Sequence, residues 1–316
     1  MLPARLKLKT GIITRLNTLF ETAMKFTATL LLSLACLLLP TTILVAEPIL
    51  VPAWQTATVF EQPESVVYDA QRNVLYVSNI NGDPIAADGN GYISILSVNG
   101  ELIEQHWVND LNAPKGMALV GDILFVADIN ELIKIDVKNN HIIQRYLAPN
   151  AKLLNDVAAD DQGNVYVSDV LTNTIYSLKN GQFEIWIHSD QLESPNGLLV
   201  EHDQLIVGSW GNMTDGFATD IPGHLKTINL TTKQIESLGD KSPVGNLDGV
   251  EADGNGHYYV TDWMAGKLLH ITPAGISTTL LTLQQGSADH TVMPEHRLVI
   301  IPMMFSGNVV AYQIGR

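Results

Sequence analysis

The chain has 316 residues, 46% hydrophobic and 16% charged, which suits a packed globular core and excludes a disordered or low-complexity protein. Its formal net charge of −15 makes nucleic acid and anionic lipid poor partners. A cation, or a neutral or small ligand held through one, is easier to accommodate.

Residues 1–46 stand apart. Arg5, Lys7, Lys9, Arg15 and Lys25 precede an uncharged stretch from Phe26 to Ala46 that is most apolar around Leu30 to Leu39. This reads as a signal peptide cleaved after Ala46, with Met24-Lys25 as its natural beginning. An uncleaved anchor is the alternative, since 21 uncharged residues can span a bilayer, but Pro40, Thr41 and Thr42 interrupt the apolar run. Removal leaves 13 basic against 32 acidic residues, a net charge of −19. It also removes Cys36, the single cysteine, and with it any disulfide or thiol chemistry. The expected product is periplasmic or secreted, with no stable membrane association after cleavage.

Beyond the leader, Trp54 to Phe60 alternates like a strand. Six related segments follow: PESVVYDAQRNVLYVSN from Pro63, PKGMALVGDILFVAD from Pro114, LNDVAADDQGNVYVSD from Leu154, PNGLLVEHDQLIVGS from Pro195, LDGVEADGNGHYYVTD from Leu247 and ADHTVMPEHRLVIIP from Ala288. Each is a brief strand, a turn and a second strand rich in β-formers. A self-similar unit at a period of roughly 40 to 50 residues points to a β-propeller. The expected fold is all-β, with residues 47–316 forming a single six-bladed domain. The last repeat has room for only three strands, near His290–Met293, Arg297–Ile301 and Asn308–Gln313. The N-terminal strand is therefore expected to pair as the outer strand of the last blade, which removes an open edge. Blades one and four carry extra residues, Ile80–Gly91 and Trp210–Gly223. In a ring of six these inserts face each other, and they are expected to wall the channel mouth, with Trp210 and Trp263 near the rim. Asp83, Asp88 and Asn90 in the first insert offer oxygen to a second cation, although such a loop is more often only a loop.

One column of residues follows the opening residue of each repeat: Glu64, Lys115, Asn155, Asn196, Asp248 and Asp289, at spacings of 51, 40, 41, 52 and 41. The first strand of each propeller blade lines the central channel, so these side chains are expected to meet the axis at one height. Glu64, Asn155, Asn196 and Asp248 offer two carboxylates and two amide carbonyls, a set suited to calcium. Histidine and thiolate are absent from the column, which argues against zinc there. A hydrated polar channel without metal is the alternative. A second column, Asn79, Asp128, Asp169, Ser209, Asp262 and Pro302, closes each second strand. It reads as backbone capping at turns.

These segments resemble the senescence marker protein/gluconolactonase family, whose members are six-bladed propellers with one divalent cation in the channel. PESVVYD is similar to the opening that carries the family's metal-binding Glu, which implies Glu64. SPNGLLVEHDQLIVGS implies Asn196 as a ligand, LLNDVAADDQGNVYVSD implies Asn155, and LDGVEADGNGHYYVTD implies Asp248 as both ligand and candidate base. The likeness spans roughly residues 54–316. Calcium-dependent lactonases of the paraoxonase type share the architecture. The chain departs from the pattern at Ser65-Val66, where Gly-Pro is usual, and at Lys115, whose charge opposes a channel cation unless it leans outward. Lys115 instead suits a substrate carboxylate or phosphate, or a solvated turn, and Asp289-His290 adds an acid and a possible proton carrier. No Ser-His-Asp arrangement stands out. The expected function is metal-dependent hydrolysis of a lactone or ester. Asp248, or a neighbour such as Asp289, would deprotonate water. Lys115, Asp289, Trp210 and Trp263 would contact the substrate. The alternative is a non-catalytic propeller in the periplasm that binds a small ligand or a protein.

Overall fold

A computed structural model describes residues 47–315. The leader reading, with Met24 and Cys36, lies outside the described residues. Among the described residues no helix is long and apolar enough to cross a membrane. Six four-stranded antiparallel sheets form the fold, and five of them run in simple chain order. Their first strands are Pro63–Asp69, Pro114–Val120, Leu154–Ala159, Pro195–Glu201 and Leu247–Ala252. The insert of blade four adds a small hairpin, Met213–Asp215 with Ala218–Thr219. The chain is a six-bladed β-propeller.

Blade six combines Thr291–Met293, Leu298–Met303 and Asn308–Ile314 with Leu50–Gln55, the first strand of the described chain, which pairs antiparallel to Asn308–Ile314. The observed strand lies upstream of the expected Trp54–Phe60. After Gln55 the chain turns inward: the Val59 and Phe60 N–H groups both donate to the Gly307 carbonyl, and Phe60 is buried between blades six and one. Thr56 N–H still donates to the Val309 carbonyl at 2.9 Å, and the alternation beyond it reports this burial. Trp54 packs over the Asn99-Gly100 turn of blade one, where a methyl added at Gly100 would lie 2.5 Å from the indole.

The core is divided into layers between neighbouring blades. Val66, Leu75, Val77 and Leu96 of blade one meet Met293, Leu298, Ile300 and Val309 of blade six. Tyr76 and Ile93 of blade one meet Met117, Leu124, Val126 and Ile133 of blade two, and the alternation continues round the ring. Each strand therefore presents apolar side chains on both faces, one per neighbouring layer. Closure at the axis is a backbone bond: Asp289 N–H donates to the Glu64 carbonyl at 2.9 Å and Val66 N–H to the Asp289 carbonyl at 3.3 Å.

Candidate active site

Every column residue of blades one to five sits at a β-bulge. The first-strand register shifts between Pro63 and Val66, Pro114 and Met117, Leu154 and Val157, Pro195 and Leu198, and Leu247 and Val250. A bulge removes the backbone from the ladder and re-aims the side chain, here toward the axis. In three blades a second-strand hydroxyl takes up the freed N–H: Ser78 from Ser65, Ser168 from Asp156 and Thr261 from Gly249, each at 2.9 Å. Ser168 and Thr261 also donate onward, to the Asn196 carbonyl at 2.8 Å and the Ala288 carbonyl at 3.1 Å. Each of these two hydroxyls thereby ties its blade to the next beside a column residue. Blade four has Gly197 after its column residue because the Asp248 carbonyl lies 1.7 Å from where a Cβ would stand.

Glu64, Lys115, Asn155, Asn196 and Asp248 line one cavity of about 280 Å³. Asn196 Nδ2 donates to Asp248 Oδ1 at 2.9 Å, which aims Asn196 Oδ1 away from that carboxylate. Asn196 Oδ1 and Glu64 Oε2 are buried acceptors without a hydrogen-bond partner. Burial, then the charges of Asp248 and Asp289, push Glu64 well above the usual carboxylate range, with Lys115 opposing. Burial and then Asp289 raise Asp248, with the Asn196 bond opposing. Orphaned acceptors among crowded buried carboxylates are what a hard divalent cation satisfies, and Glu64, Asn155, Asn196 and Asp248 fit one.

The Lys115 side chain is tied to backbone at the cavity wall. Its ammonium donates to the Ala113 carbonyl at 2.8 Å and the Pro84 carbonyl at 2.9 Å, so the first insert helps to hold it. Two of its three protons are thereby used, leaving one for a ligand. Burial lowers Lys115 to about 8, against the raising effect of Glu64 and Asp128.

The mouth is apolar. Trp210, Phe217, Trp263, Met304 and Phe305 line it above Ile80, Leu153 and Val170. The Trp210 and Trp263 rings lie 5.8 Å apart, and Trp263 meets Phe305 edge-on at 5.2 Å. Trp210 Nε1 donates to the Phe217 carbonyl and Asn246 Nδ2 to the Trp210 carbonyl, both at 2.8 Å, which anchors the second insert over the channel.

Several expected residues stand elsewhere. Asp289 is not on the cavity wall: it accepts from Ser65 Oγ at 2.6 Å, and burial raises it to about 7. His290 is fully buried with neither ring nitrogen partnered, and burial lowers it to about 3, which favours its neutral form. In the first insert, Asp83 and Asp88 cap the local N–H groups of Ile85 and Asn90, which explains them as loop chemistry. In the second column, Asp128 and Asp169 accept backbone N–H groups from the segments entering their blades. Asp156 was missed: it accepts from Leu198 N–H of blade four at 2.6 Å, and burial followed by Asp289 raises it strongly. Its place beside Asn155, where blades two, four and five carry glycine, was the available signal.

Residues 62–285 match the family described as SMP-30/Gluconolactonase/LRE-like region. The chain belongs to this family. No curated protein matches it in sequence. Among solved structures, virginiamycin B lyase from Staphylococcus aureus, in a catalytically inactive form with quinupristin, is 14% identical with a TM-score of 0.57, covering 84% of this chain and 99% of its own. A nidogen/laminin complex is 19% identical with a TM-score of 0.54, covering 69% of this chain and 79% of that one. At such identities the likeness shows the fold. The family supports a lactonase-like or ligand-binding propeller.

Proposed function

We propose that the protein is an exported hydrolase of lactones or esters that carry an apolar substituent, with one divalent cation, calcium by its donor set, at the channel floor. The observation that carries this reading is the pairing of an oxygen-rich floor, with Glu64 Oε2 and Asn196 Oδ1 unpartnered, and an apolar mouth. Glu64, Asn155, Asn196 and Asp248 hold the cation, which when bound polarises the substrate carbonyl and stabilises developing negative charge. Lys115 offers its remaining proton to a substrate oxygen. Asp248 is the cavity carboxylate held by Asn196, and it accepts the proton of the attacking water; that proton then passes to the departing alkoxide as the ester C–O bond breaks. The Trp210, Trp263, Phe217 and Phe305 rings hold the apolar substituent and exclude water, a poor fit for a polyhydroxylated sugar lactone.

A panel of alkyl- and aryl-substituted lactones and esters, assayed with calcium and with chelator, tests this. Turnover should need the cation and fall in Asp248→Asn and Glu64→Gln. No hydrolysis across the panel with calcium restored would end the proposal. The exposed rim, with Phe217 43%, Ile221 66% and Phe305 60% exposed, favours the second reading, a binding propeller; saturable binding of an apolar ligand without turnover would select it. Export is checked by the mass of the mature protein, which should begin at Glu47.

A further inference from the structure

A second cluster lies in blade five, at the far end of the first strand from Asp248. Asp253 and His257 bracket the turn between Leu247–Ala252 and Tyr258–Asp262, and His270 comes from Lys267–Ile271, in register with Tyr259. Asp253 Oδ1 accepts the N–H groups of Asn255 and His257 at 2.6 and 2.9 Å, which leaves Oδ2 for other work. Oδ2 lies 3.2 Å from His270 Nε2 and 3.6 Å from His257 Nδ1. His257 Nδ1 is buried and has no hydrogen-bond partner. The two imidazoles are stacked, with centroids 5.0 Å apart. On its other side, His270 Nδ1 lies 2.6 Å from Glu47 Oε2.

We propose that Asp253, His257 and His270 bind one divalent transition-metal ion of the zinc class, with Glu47 as the outer carboxylate that orients His270.

In the tautomer that carries its N–H on Nδ1, His270 donates to Glu47. Its Nε2 lone pair then faces the Asp253 carboxylate, and His257 Nδ1 converges on the same oxygen. A proton satisfies one of these pairs, whereas a metal ion satisfies all three atoms. Ligand atoms on a tetrahedral ion at 2.0–2.2 Å are about 3.4 Å apart, between the two distances from Asp253, and all three atoms lie within 4.8 Å of one another. A metal-bound histidine whose second nitrogen donates to a carboxylate is the usual outer-shell arrangement. Two imidazoles with one carboxylate select zinc-like ions over calcium, and a fourth position remains for water. The site also has a structural consequence. Thr278 of blade five donates to Glu47 Oε1 at 3.1 Å, and Glu47 stands just before Leu50–Gln55, the strand that completes blade six. The ion would clasp the start of that strand to blade five.

The test is cobalt substitution of the purified protein after metal stripping. One equivalent of Co²⁺ should give visible bands of tetrahedral intensity. Zinc should displace it, while excess calcium, Glu64→Gln and Asp248→Asn leave it unchanged. Asp253→Asn, which keeps the Oδ1 acceptor of the turn, and His257→Gln should abolish the bands. Glu47→Gln, at a half-exposed side chain, should weaken binding about 10- to 100-fold while the protein stays folded. Absence of the bands in the folded wild type, or their survival at wild-type affinity in Asp253→Asn and His257→Gln, overturns the proposal. Wild-type affinity in Glu47→Gln overturns the part assigned to that residue.

Discussion

Replacing Glu64 by Gln separates a cation ligand from a structural acid because the two roles predict opposite signs. Glu64 is 5% exposed, its Oε2 has no partner, and burial with Asp248 and Asp289 already disfavours its charge. Without a cation, an ionised Glu64 is a buried carboxylate opposed only by Lys115, a burden of order 3–5 kcal/mol before that offset. Glutamine keeps the shape and removes the charge, although its unpartnered amide retains about 1–3 kcal/mol of desolvation cost. The net expectation is that Glu64→Gln is more stable than wild type in chelator by roughly 1–3 kcal/mol. At about 2–4 °C per kcal/mol for a domain of this class, the melting temperature rises by several degrees. In calcium the order reverses: wild type gains about 2.7 kcal/mol when the ion stands at 100 times its Kd, and the variant gains little. Thermal melts at pH 7.5 in chelator and in graded calcium provide the assay. A variant that melts below wild type in chelator and still shows the full calcium-induced rise would refute the reasoning.

The same carboxylates set the pH dependence. Glu64, Asp156, Asp248 and Asp289 are all raised in the fold, chiefly by burial, so in chelator their stabilisation is fully present below about pH 4 and lost as pH rises through the folded values, with Asp289 near 7. Melts in chelator should therefore weaken from pH 5 to pH 8, while calcium binding strengthens over that window and releases protons, which calorimetry in buffers of different ionisation enthalpy reads. Ser168→Ala removes the hydroxyl that joins Asp156 N–H to the Asn196 carbonyl; it should cost about 1–3 kcal/mol in denaturant unfolding and weaken calcium binding. Lys115→Met removes a buried charge beside Glu64, so calcium affinity by calorimetry should rise, by on the order of tenfold for one pKa unit of lost repulsion, while KM for the ester rises more than kcat falls.

The polar floor was legible in the sequence, as were Trp210 and Trp263 at the rim, but the rest of the apolar mouth was not. Glu64, Asn155, Asn196 and Asp248 occupy one position of a repeated strand, so pseudo-symmetry alone gathers them. Phe217, Met304 and Phe305 come from connections after second strands that differ in length between blades, and no repeated position marks them. Asp289 shared the column by spacing, yet its carboxylate is drawn to Ser65, which occupies the place held by glycine in blades two, four and five; the local departure at Ser65 redirected it. Trp54–Phe60 marked the closing strand but not its bounds, because the chain leaves the ladder after Thr56 to bury Phe60. His270 joins Asp253 and His257 through the register that sets it opposite Tyr259, a pairing that no short motif announces.

The column also links the chemistry of the site to closure of the ring. Its oxygens come from blades one, three, four and five, and Glu64 stands beside the backbone bonds that join blade one to blade six. Asp289, whose N–H makes one of those bonds, is among the carboxylates that raise Glu64, Asp156 and Asp248. Crowding these acids on the axis works against closure when they are ionised and unpaired. The proposed cation at the floor would reverse the sign, because each carboxylate would then favour the closed ring. The energy that would draw the ion in is thus the energy that would hold the blades in register, and the apolar mouth, built on connections of blades four, five and six, is positioned by the same ring. A ligand set distributed over several blades gives what one loop could not: a site whose geometry is kept by the whole propeller.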